Sequence, residues 1–444
     1  MAMMLITLIA SMFILITIID FKRKKAKNGT NNVKSTLKLR SKKKAEGIVF
    51  GKKGWFQLAC SPSSAEGHLA VFGGSGSGKT SALLIPTLRA WQGSAFVVDI
   101  SGDISANVQK STKVIFDPEN ANTTPYDVFY AVDNAPDLDE RNNRLKQITF
   151  ALLPEVLQDN GTSKYYRESA REMLQAGFIA YYDKGLDFVD ICKQMTSCSP
   201  SLLIDDIRAS GNDVAVKLIS SLIGIPEGTL SGIKQEADKA ISLFATNKKL
   251  EKALRRAKKS ISPALLEKRS VYIRVADEKL EIFAPLMRLI MTQTFSHLSA
   301  RPNNANLPIL LCLDEFASFG QLEILPALRK LRKKKVRVML LTQSLADLDL
   351  IYGISDRRAM LDNLLYKVVL SASEPETQTY FSKLAGEKTV TRSSVTRGQN
   401  GISESKVDIR EHAIYPEEFG RLGDNLILFH PAGVERLRKN FYYK

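Results

Sequence analysis

A single eight-residue stretch constrains this chain more than any other part of its 444-residue sequence. It has the pattern G-x-x-x-x-G-K-T, in which a glycine-rich turn lets several backbone N–H groups point inward at a phosphate. The residues that we predict to bind nucleotide phosphates are Gly73, Gly74, Ser75, Gly76, Ser77, Gly78, Lys79 and Thr80. The fold must therefore place a glycine-rich loop between a strand and the first turn of a helix.

The flanking residues provide the context that this loop requires. Residues 69–72 predict a short buried strand before it, and residues 81–85 predict an apolar helix start after it. In such a loop the lysine reaches the β- and γ-phosphates, and the threonine hydroxyl binds Mg²⁺. We therefore predict that Lys79 is catalytic, that Thr80 is a metal ligand, and that the cofactors are ATP and Mg²⁺. The alternative is a chance glycine-rich loop.

Two adjacent acids, Asp314 and Glu315, follow an apolar run at residues 309–313. Such a run predicts a buried parallel strand, and ligands of α/β sheets lie at the carboxyl ends of such strands. We predict that Asp314 is a metal ligand that completes the coordination of Mg²⁺ with Thr80. Glu315 suits a catalytic role as the base that aligns the attacking water. The alternative is a surface pair of acids after an ordinary strand.

Further polar residues lie near the next predicted strand. Gln343 follows the apolar run at 336–342 and is predicted to sense the γ-phosphate, whereas a glutamine bonded only to backbone is the alternative. Six basic residues surround one leucine at 329–335. One of them could reach the nucleotide of a neighbouring subunit as an arginine finger, a task that suits a guanidinium better than an ammonium group. The others are expected to be solvated or to line a central channel.

Residues 1–19 form an apolar run that contains no charge. As a helix this run would extend about 28 Å, close to the thickness of the hydrocarbon core of a bilayer. A cleaved signal peptide is disfavoured, because no basic residue precedes the run and no small-residue cleavage site follows it. We predict a transmembrane anchor at 1–21 and a basic juxtamembrane linker at 22–46, for which we favour contact with membrane lipid over the alternative of DNA binding. The positive-inside rule then predicts a single-pass protein of the inner (plasma) membrane whose bulk is cytoplasmic.

Composition argues against several other classes of protein. The net charge is +16, but eleven positive charges lie between residues 22 and 44, so the charge does not by itself indicate a nucleic-acid surface. The four cysteines are scattered and are expected to be reduced thiols. The sequence has no H-E-x-x-H pattern, which argues against a metal site built from the protein alone. It also has no H-R-D-x-x-x-x-N pattern, which disfavours a protein kinase.

The order of the predicted elements divides the chain into two domains. Strand and helix patterns at 47–132 and 263–444 predict a nucleotide-binding α/β domain. Between them, residues 133–262 show helical spacing and no clear strand, which predicts an inserted all-α domain. Its basic stretch at 246–260 is either a solvated face, which we favour, or a contact for DNA. The serine- and glycine-rich residues 391–406 predict a mobile loop.

With these motifs the sequence resembles the coupling proteins of type IV secretion, the TraG- and TraD-like ATPases of conjugation. The most specific match is D-E-F-A-S-F-G at residues 314–320, which is similar to the D-E-F-x-x-x-G signature of that family. The other landmarks lie within roughly 45–444, namely His68, Gly73 to Thr80, 116–118, 271–273, 283–288, 342–346, 351–353, 386–389 and 414–418. The chain departs from the family in two respects: many members have a second transmembrane helix, and many have K-G-E where residues 100–103 read I-S-G-D.

The resemblance implies a membrane-anchored, RecA-like P-loop NTPase that forms a homo-hexamer, with an all-α domain that faces the cytoplasm. Arg332 lies eleven residues before Gln343, where the family places its finger arginine, so a catalytic role for Arg332 is implied. The implied partners are single-stranded DNA with a relaxase, or effector proteins, together with components of the type IV secretion channel.

Three functional hypotheses follow. The leading one is an ATPase coupling protein that recruits relaxase–single-stranded DNA or effector substrates to the channel and powers conjugative transfer. The second is a docking platform in which ATP controls assembly only. The complete set of loop and acidic residues favours turnover over docking. The third, a septal-type DNA translocase, is disfavoured by the single short anchor and by the D-E-F-A-S-F-G signature.

Overall fold

A computed structural model describes residues 37–110, 112–155, 161–303, 305–398 and 401–444. The predicted anchor at 1–21 and most of the predicted linker at 22–46 lie outside these ranges. Among the residues that are described, no helix has both the length and the apolar content that a membrane crossing requires.

The described residues contain one large mixed sheet and a separate two-stranded ribbon. The strands are β1 (Lys38–Ser41), β2 (Ile48–Lys53), β3 (Gln57–Ser61), β4 (His68–Phe72), β5 (Ser94–Asp99), β6 (Lys113–Phe116), β7 (Ser270–Arg274), β8 (Ile309–Leu313), β9 (Val336–Thr342), β10 (Leu364–Val369), β11 (Glu387–Gly398), β12 (Gly401–His412), β13 (Asn425–His430) and β14 (Gly433–Arg438). The order across the large sheet is β1-β3-β2-β14-β13-β10-β4-β9-β8-β5-β7-β6.

The large sheet is parallel over most of its width. Strands β10, β4, β9, β8, β5, β7 and β6 pair in parallel, whereas β13, β14, β2, β3 and β1 extend one side of the sheet in antiparallel pairing. Every residue of β4, β8 and β9 is buried. Strands that are covered on both faces read as continuous apolar runs, which is why the sequence predicted these three. The predicted α/β class is confirmed.

The ordered sheet begins earlier in the chain than predicted. Lys38–Ser41, inside the predicted linker, pairs as edge strand β1 with β3. All four of its residues are exposed, so apolar burial gives no local signal for this strand.

Helices cover both faces of the sheet. They are α1 (Ile85–Ala90), α2 (Asp103–Asn107), α3 (Tyr130–Asp133), α4 (Leu138–Leu152), α5 (Gly161–Asp183), α6 (Phe188–Ser197), α7 (Pro200–Ala209), α8 (Asp213–Leu218), α9 (Glu227–Thr246), α10 (Lys248–Ala253), α11 (Leu280–Ala300), α12 (Ile324–Leu331), α13 (Leu345–Asn363) and α14 (Pro375–Ala385). Side chains alternate between the faces of a strand. Accordingly, Leu69 and Val71 pack into a core with α1, while Ala70 and Phe72 pack into a second, larger core on the opposite face.

The second core continues from the sheet into the helical segment. Between β6 and β7 the described residues form helices α3 to α10 and no strand. Leu174 and Phe244, from α5 and α9, belong to the same buried cluster as Phe96 and Val271 of the sheet. The described chain accordingly forms one compact unit. The helical segment and the sheet are therefore held together by a continuous apolar core.

The prediction of a mobile loop at 391–406 is wrong for the residues that the structure describes. Strands β11 and β12 pair antiparallel along their whole length, from Glu387↔His412 to Gly398↔Gly401. The side chains described near the base of this ribbon are mostly exposed, so few apolar residues are needed. Alternating valine and threonine residues favour strand formation without a buried face. The low apolar content that suggested a loop is thus compatible with a ribbon whose described side chains are mostly solvated.

A buried histidine joins β4 to the elements beside it. The Nδ1 atom of His68 accepts a hydrogen bond from the backbone N–H of Val338 at 3.0 Å. Its Nε2 atom must then carry the proton that is donated to the carbonyl oxygen of Leu328 at 2.9 Å. Burial lowers the pKa of His68 to about 4. The imidazole is therefore neutral, and its tautomer is set by β9.

We expect the free energy of unfolding to fall as His68 becomes protonated. An unfolded histidine has a pKa of about 6.5, so the unfolded state takes up the proton first as the pH decreases. The contribution of the neutral ring to the free energy of unfolding is fully present above about pH 6.5. It falls by up to about 3 kcal/mol as the pH decreases towards about 4. Urea titrations of wild type and of His68→Gln, whose amide has a donor and an acceptor but does not titrate, test this. Parallel stability profiles for the two proteins between pH 7 and pH 4 would contradict it.

Candidate functional site

The glycine-rich loop leaves the carboxyl end of β4 and is tied to the neighbouring strand. The backbone N–H of Gly73 donates to the carbonyl oxygen of Thr342, the last residue of β9, at 3.2 Å. Gly76 and Gly78 have φ angles of 71° and 96°. A residue with a Cβ atom pays a steric penalty in this region, so glycine is required for the loop to turn. Directly after Gly78 the chain enters a wide helical turn, Lys79–Leu84, that continues into α1.

The loop presents hydrogen-bond donors that the protein leaves open. Among the described residues, the backbone N–H groups of Gly76, Gly78, Lys79 and Thr80 have no protein acceptor. The buried hydroxyl of Ser77 likewise lacks a partner within the described chain. Unpaired N–H groups at the start of a helix attract anions, and the helix dipole adds to this attraction. The loop is therefore built to surround an anion with phosphate chemistry.

Lys79 links the loop to the predicted acids. Its side chain is only 7% exposed, and its Nζ atom donates to the carbonyl oxygen of Gly73 at 2.7 Å. The same ammonium group lies 3.2 Å from Oε1 of Glu315. The charge of Lys79 is thus held inside the site between the loop and one carboxylate.

Thr80 and Asp314 are brought together from positions 234 residues apart. The hydroxyl of Thr80 donates to Oδ2 of Asp314 at 3.4 Å, and the backbone N–H of Glu315 donates to Oδ1 at 3.1 Å. Burial, with a further contribution from the charge of Glu315, raises the pKa of Asp314 to about 6. A neighbouring cation would stabilise the charged form of this buried carboxylate. The Thr80 hydroxyl and the Asp314 carboxylate are therefore a donor set that fits Mg²⁺, with phosphate and water oxygens as the remaining ligands.

Glu315 has a backbone conformation that is unusual for its residue type. Its φ and ψ angles are both 46°, which lies in the left-handed region. Its Oε2 atom accepts a hydrogen bond from Nε2 of Gln343 at 3.4 Å, while Oε1 contacts Lys79. β9 lies between β4 and β8 in the sheet, so Gln343 leaves the strand between the loop and the acids. The structure therefore brings Lys79, Thr80, Asp314, Glu315 and Gln343 together.

Arg332 is not part of this cluster. It is about half exposed, and its Nε atom lies 3.0 Å from Oε2 of the equally exposed Glu66. It belongs to a short helical turn, Arg332–Lys334, that follows α12 and precedes β9. Because β9 runs from this turn towards Gln343, Arg332 lies at the opposite end of that strand from the glutamine.

Residues that the sequence analysis did not select also surround the loop. A cavity of about 320 Å³ is lined by the loop, the two acids, Asp103, Tyr442 and Tyr443. Asp103 is the first residue of α2. The backbone N–H groups of Ile104 and Ser105 in this helix donate hydrogen bonds to the carboxylate of Asp99. The aromatic run Phe-Tyr-Tyr at 441–443 was the only sequence signal for the tyrosines. No local pattern connects that run to a loop more than 350 residues away.

A larger cavity of about 720 Å³ lies away from the loop. It separates α4 and the residues after it from Gln321–Pro326, with Tyr352 of α13 also in its wall. The ring of Tyr352 stacks on Phe316, the residue that follows Glu315, with centroids 5.6 Å apart. This cavity adjoins the chemical site through the D-E-F-A-S-F-G segment but shares none of its residues.

The loop, the buried lysine and the two acids at the carboxyl edge of a parallel sheet define the P-loop NTPase class of α/β proteins. A family model described as Type IV secretory system Conjugative DNA transfer matches residues 17–444. The chain belongs to this family. The resemblance to type IV secretion coupling proteins that the motifs carry is confirmed.

Curated relatives support the same family. The chain is 25% identical to Protein VirD4 of Agrobacterium fabrum over 425 residues, which covers 90% of this chain and 62% of that protein. It is also 25% identical to the Conjugal transfer protein TraG of Rhizobium radiobacter, with 86% of this chain and 62% of that protein covered. The chain thus spans less than two thirds of the length of these relatives.

Solved structures with the same fold include two of TrwB. The unbound bacterial conjugative coupling protein TrwBdeltaN70 has a TM-score of 0.71 at 19% identity, covering 89% of this chain and 88% of that chain. TrwB in complex with the non-hydrolysable ATP analogue ADPNP has a TM-score of 0.71 at 19% identity, covering 93% and 96%. At this level of identity the likeness establishes the fold alone.

We expect a glycine at position 315 to relieve the backbone strain at this site. A left-handed residue with a Cβ atom costs about 1–2 kcal/mol, and glycine avoids most of that cost. Glu315→Gly and Glu315→Ala both remove the carboxylate, so the difference between them isolates the backbone. Glu315→Gly is expected to be more stable than Glu315→Ala by about 1 kcal/mol in chemical unfolding. A more stable alanine variant would contradict the left-handed conformation.

Proposed function

We propose that this chain is the ATP-hydrolysing part of a type IV secretion coupling protein that powers conjugative transfer. The observation that carries the proposal is the convergence of Lys79, Thr80, Asp314 and Glu315 on one cavity of about 320 Å³. Two relatives support the same role by name, a type IV secretion system-coupling protein VirD4 and a conjugal transfer protein TraG.

In the proposed mechanism the loop binds the phosphates of ATP. The positive field comes from the ammonium group of Lys79 and from the open N–H groups of Gly76, Gly78, Lys79 and Thr80. Thr80 and Asp314 would hold Mg²⁺, which neutralises the charge that develops on the phosphate oxygens. The roles of Gly73, Gly74 and Ser75 are to shape the turn that presents these donors.

Glu315 is proposed to orient and deprotonate the attacking water. Oε1 of Glu315 contacts the ammonium group of Lys79. Phosphate oxygens compete for the same ammonium group, so the carboxylate becomes available for water only when phosphate binds. When Lys79 turns to phosphate, the carboxylate of Glu315 loses that contact and keeps its hydrogen bond from Gln343. Because Gln343 is hydrogen-bonded to this carboxylate and directly follows β9, a movement of the carboxylate can be transmitted to the strand. Binding and activation of the base are thus linked through a single lysine.

Arg332 is proposed to act on the nucleotide of a neighbouring subunit in a homo-hexamer. It lies at the far end of β9 from Gln343, so it does not reach the site of its own chain. Its side chain is exposed and contacts Glu66 at the surface, and such a contact costs little to break. These two features support a role in trans.

The remaining parts of the chain take the roles that the family suggests. We propose a single-pass inner-membrane anchor at 1–21, a lipid-contacting linker at 22–46, and a RecA-like nucleotide-binding domain at 47–132 and 263–444. The helices within 133–262 would form the all-α domain that faces the cytoplasm. Substrates would be single-stranded DNA with its relaxase, or effector proteins, delivered to components of the secretion channel.

Replacing the proposed base is expected to separate binding from hydrolysis. Glu315→Gln should lower the steady-state ATPase rate by about 10²-fold or more, because a general base contributes about that factor. MgATP binding should persist, since Lys79 and Thr80 are unchanged. Glu278→Gln, at an exposed glutamate that does not line the cavity of the loop, is the matched control and should behave as wild type. Turnover in Glu315→Gln within a few-fold of wild type would contradict the assigned base. Transfer that persists in cells without turnover would favour the docking platform instead.

A mixing experiment tests whether Arg332 acts across subunits. Arg332→Ala should lower the ATPase rate by about 10³-fold or more, as expected for an arginine finger. Lys79→Ala should be inactive because it no longer binds the phosphates. When the two variants are co-assembled, about a quarter of the interfaces in a random ring combine an intact loop with an intact finger, so activity should return. Lys333→Ala is the control and should remain active. A mixture that stays inactive would argue for action within one chain.

A further inference from the structure

The segment from Phe441 to Lys444 is fixed against the helix that follows the loop. The backbone N–H of Tyr442 donates to the carbonyl oxygen of Ser81 at 3.0 Å. The guanidinium group of Arg89 lies 5.0 Å from the centre of the Tyr442 ring and donates to the Tyr442 carbonyl oxygen at 3.4 Å. The segment is therefore anchored to the same helix that positions Lys79 and Thr80.

Phe441 approaches the loop itself. A Cβ atom added at Gly78 would lie 3.2 Å from the Phe441 ring, so the ring covers the Cα atom of this glycine. Because Gly78 has a left-handed φ of 96°, two independent features restrict this position to glycine. The aromatic segment and the phosphate loop are thus in direct van der Waals contact.

Tyr443 is the most solvent-exposed of the three aromatic residues in this segment. Its side chain is 62% exposed and yet lines the cavity that the loop and the acids share. Its ring is supported by Phe441 and Tyr442, whose ring centres lie 5.4 Å and 5.1 Å away. A large, exposed aromatic ring held by two others in a cavity wall presents a surface for a flat ligand.

We propose that Tyr443 forms the stacking surface for the base of the bound nucleotide. This inference rests on the proposed nucleotide-binding function of the loop and extends it from the phosphates to the base. The loop supplies donors suited to phosphate, whereas Tyr443 supplies a π face, and both line one cavity of about 320 Å³. Every nucleobase has a π face, so this surface contributes affinity without strong selection between purines.

Two ligands separate the base from the phosphates. The full 444-residue chain is titrated with MgATP and with magnesium tripolyphosphate, which lacks a base and a ribose, using calorimetry. Tyr443→Ala is expected to weaken MgATP binding about tenfold, the order expected for loss of one stacked base. It should leave tripolyphosphate binding unchanged, and Tyr443→Phe should bind MgATP as wild type does. Tyr165→Ala, at a half-exposed tyrosine of α5, is the matched control and should change neither affinity.

Each possible outcome separates the base site from the phosphate site. Unchanged MgATP affinity in Tyr443→Ala would overturn the stacking role while leaving the loop function intact. Equal weakening of both ligands would also overturn it, because the segment would then act only as support for the loop. Wild-type protein that binds neither ligand would overturn the proposed function together with this inference. Equal melting temperatures for wild type and Tyr443→Ala establish that the variant is folded.

Discussion

The parallel pairing of β4, β9 and β8 is the constraint on which the site depends. Leu69 to Phe72 pair with Met339 to Thr342, and Ile309 to Leu313 pair with Val336 to Leu340. In a parallel sheet the carboxyl ends of neighbouring strands meet at one edge. This register places the loop after Phe72, the glutamine after Thr342 and the acids after Leu313 side by side. A register shift of one residue would move every side chain of a strand to the opposite face, so residues that fit one core would have to pack in the other.

The charged and polar groups at this edge contact one another in sequence, so the position of each side chain depends on its neighbours. Lys79 contacts Glu315, Glu315 accepts from Gln343, and Asp314 is held by Thr80 and by the backbone of Glu315. Burial makes each charge costly unless it is paired, which the raised pKa of Asp314 reflects. A ligand that brings both negative phosphate and a divalent cation satisfies Lys79 and Asp314 at once. The site is thus complementary to the complex of nucleotide and metal rather than to either component.

Much of the sheet and most of the cluster around the glycine-rich loop could be predicted from sequence, because both depend on local patterns. Buried strands such as β8 read as apolar runs, and the polar residues that follow them mark the carboxyl edge. β1 and the ribbon of β11 and β12 could not be recognised, because exposed strands have no apolar face to reveal them. Tyr443 was missed for another reason: it lines the cavity of the loop only because the fold packs Phe441 against Gly78 and Tyr442 against Ser81, and the neighbouring sequence does not encode that long-range packing. The exposed position of Arg332 could not be inferred from spacing either.

The apolar core shared by the sheet and helices α3 to α10 has a consequence for how this protein can diverge. A module that folds on its own can be exchanged between relatives as a unit, because few contacts cross its boundary. Here Leu174 and Phe244 pack in the same cluster as Phe96 and Val271. A helical segment grafted from another family member would meet a core with mismatched side-chain volumes. Substitutions in this segment are therefore expected to accumulate on the exposed faces of the helices, with the buried layer changing in concert with the sheet.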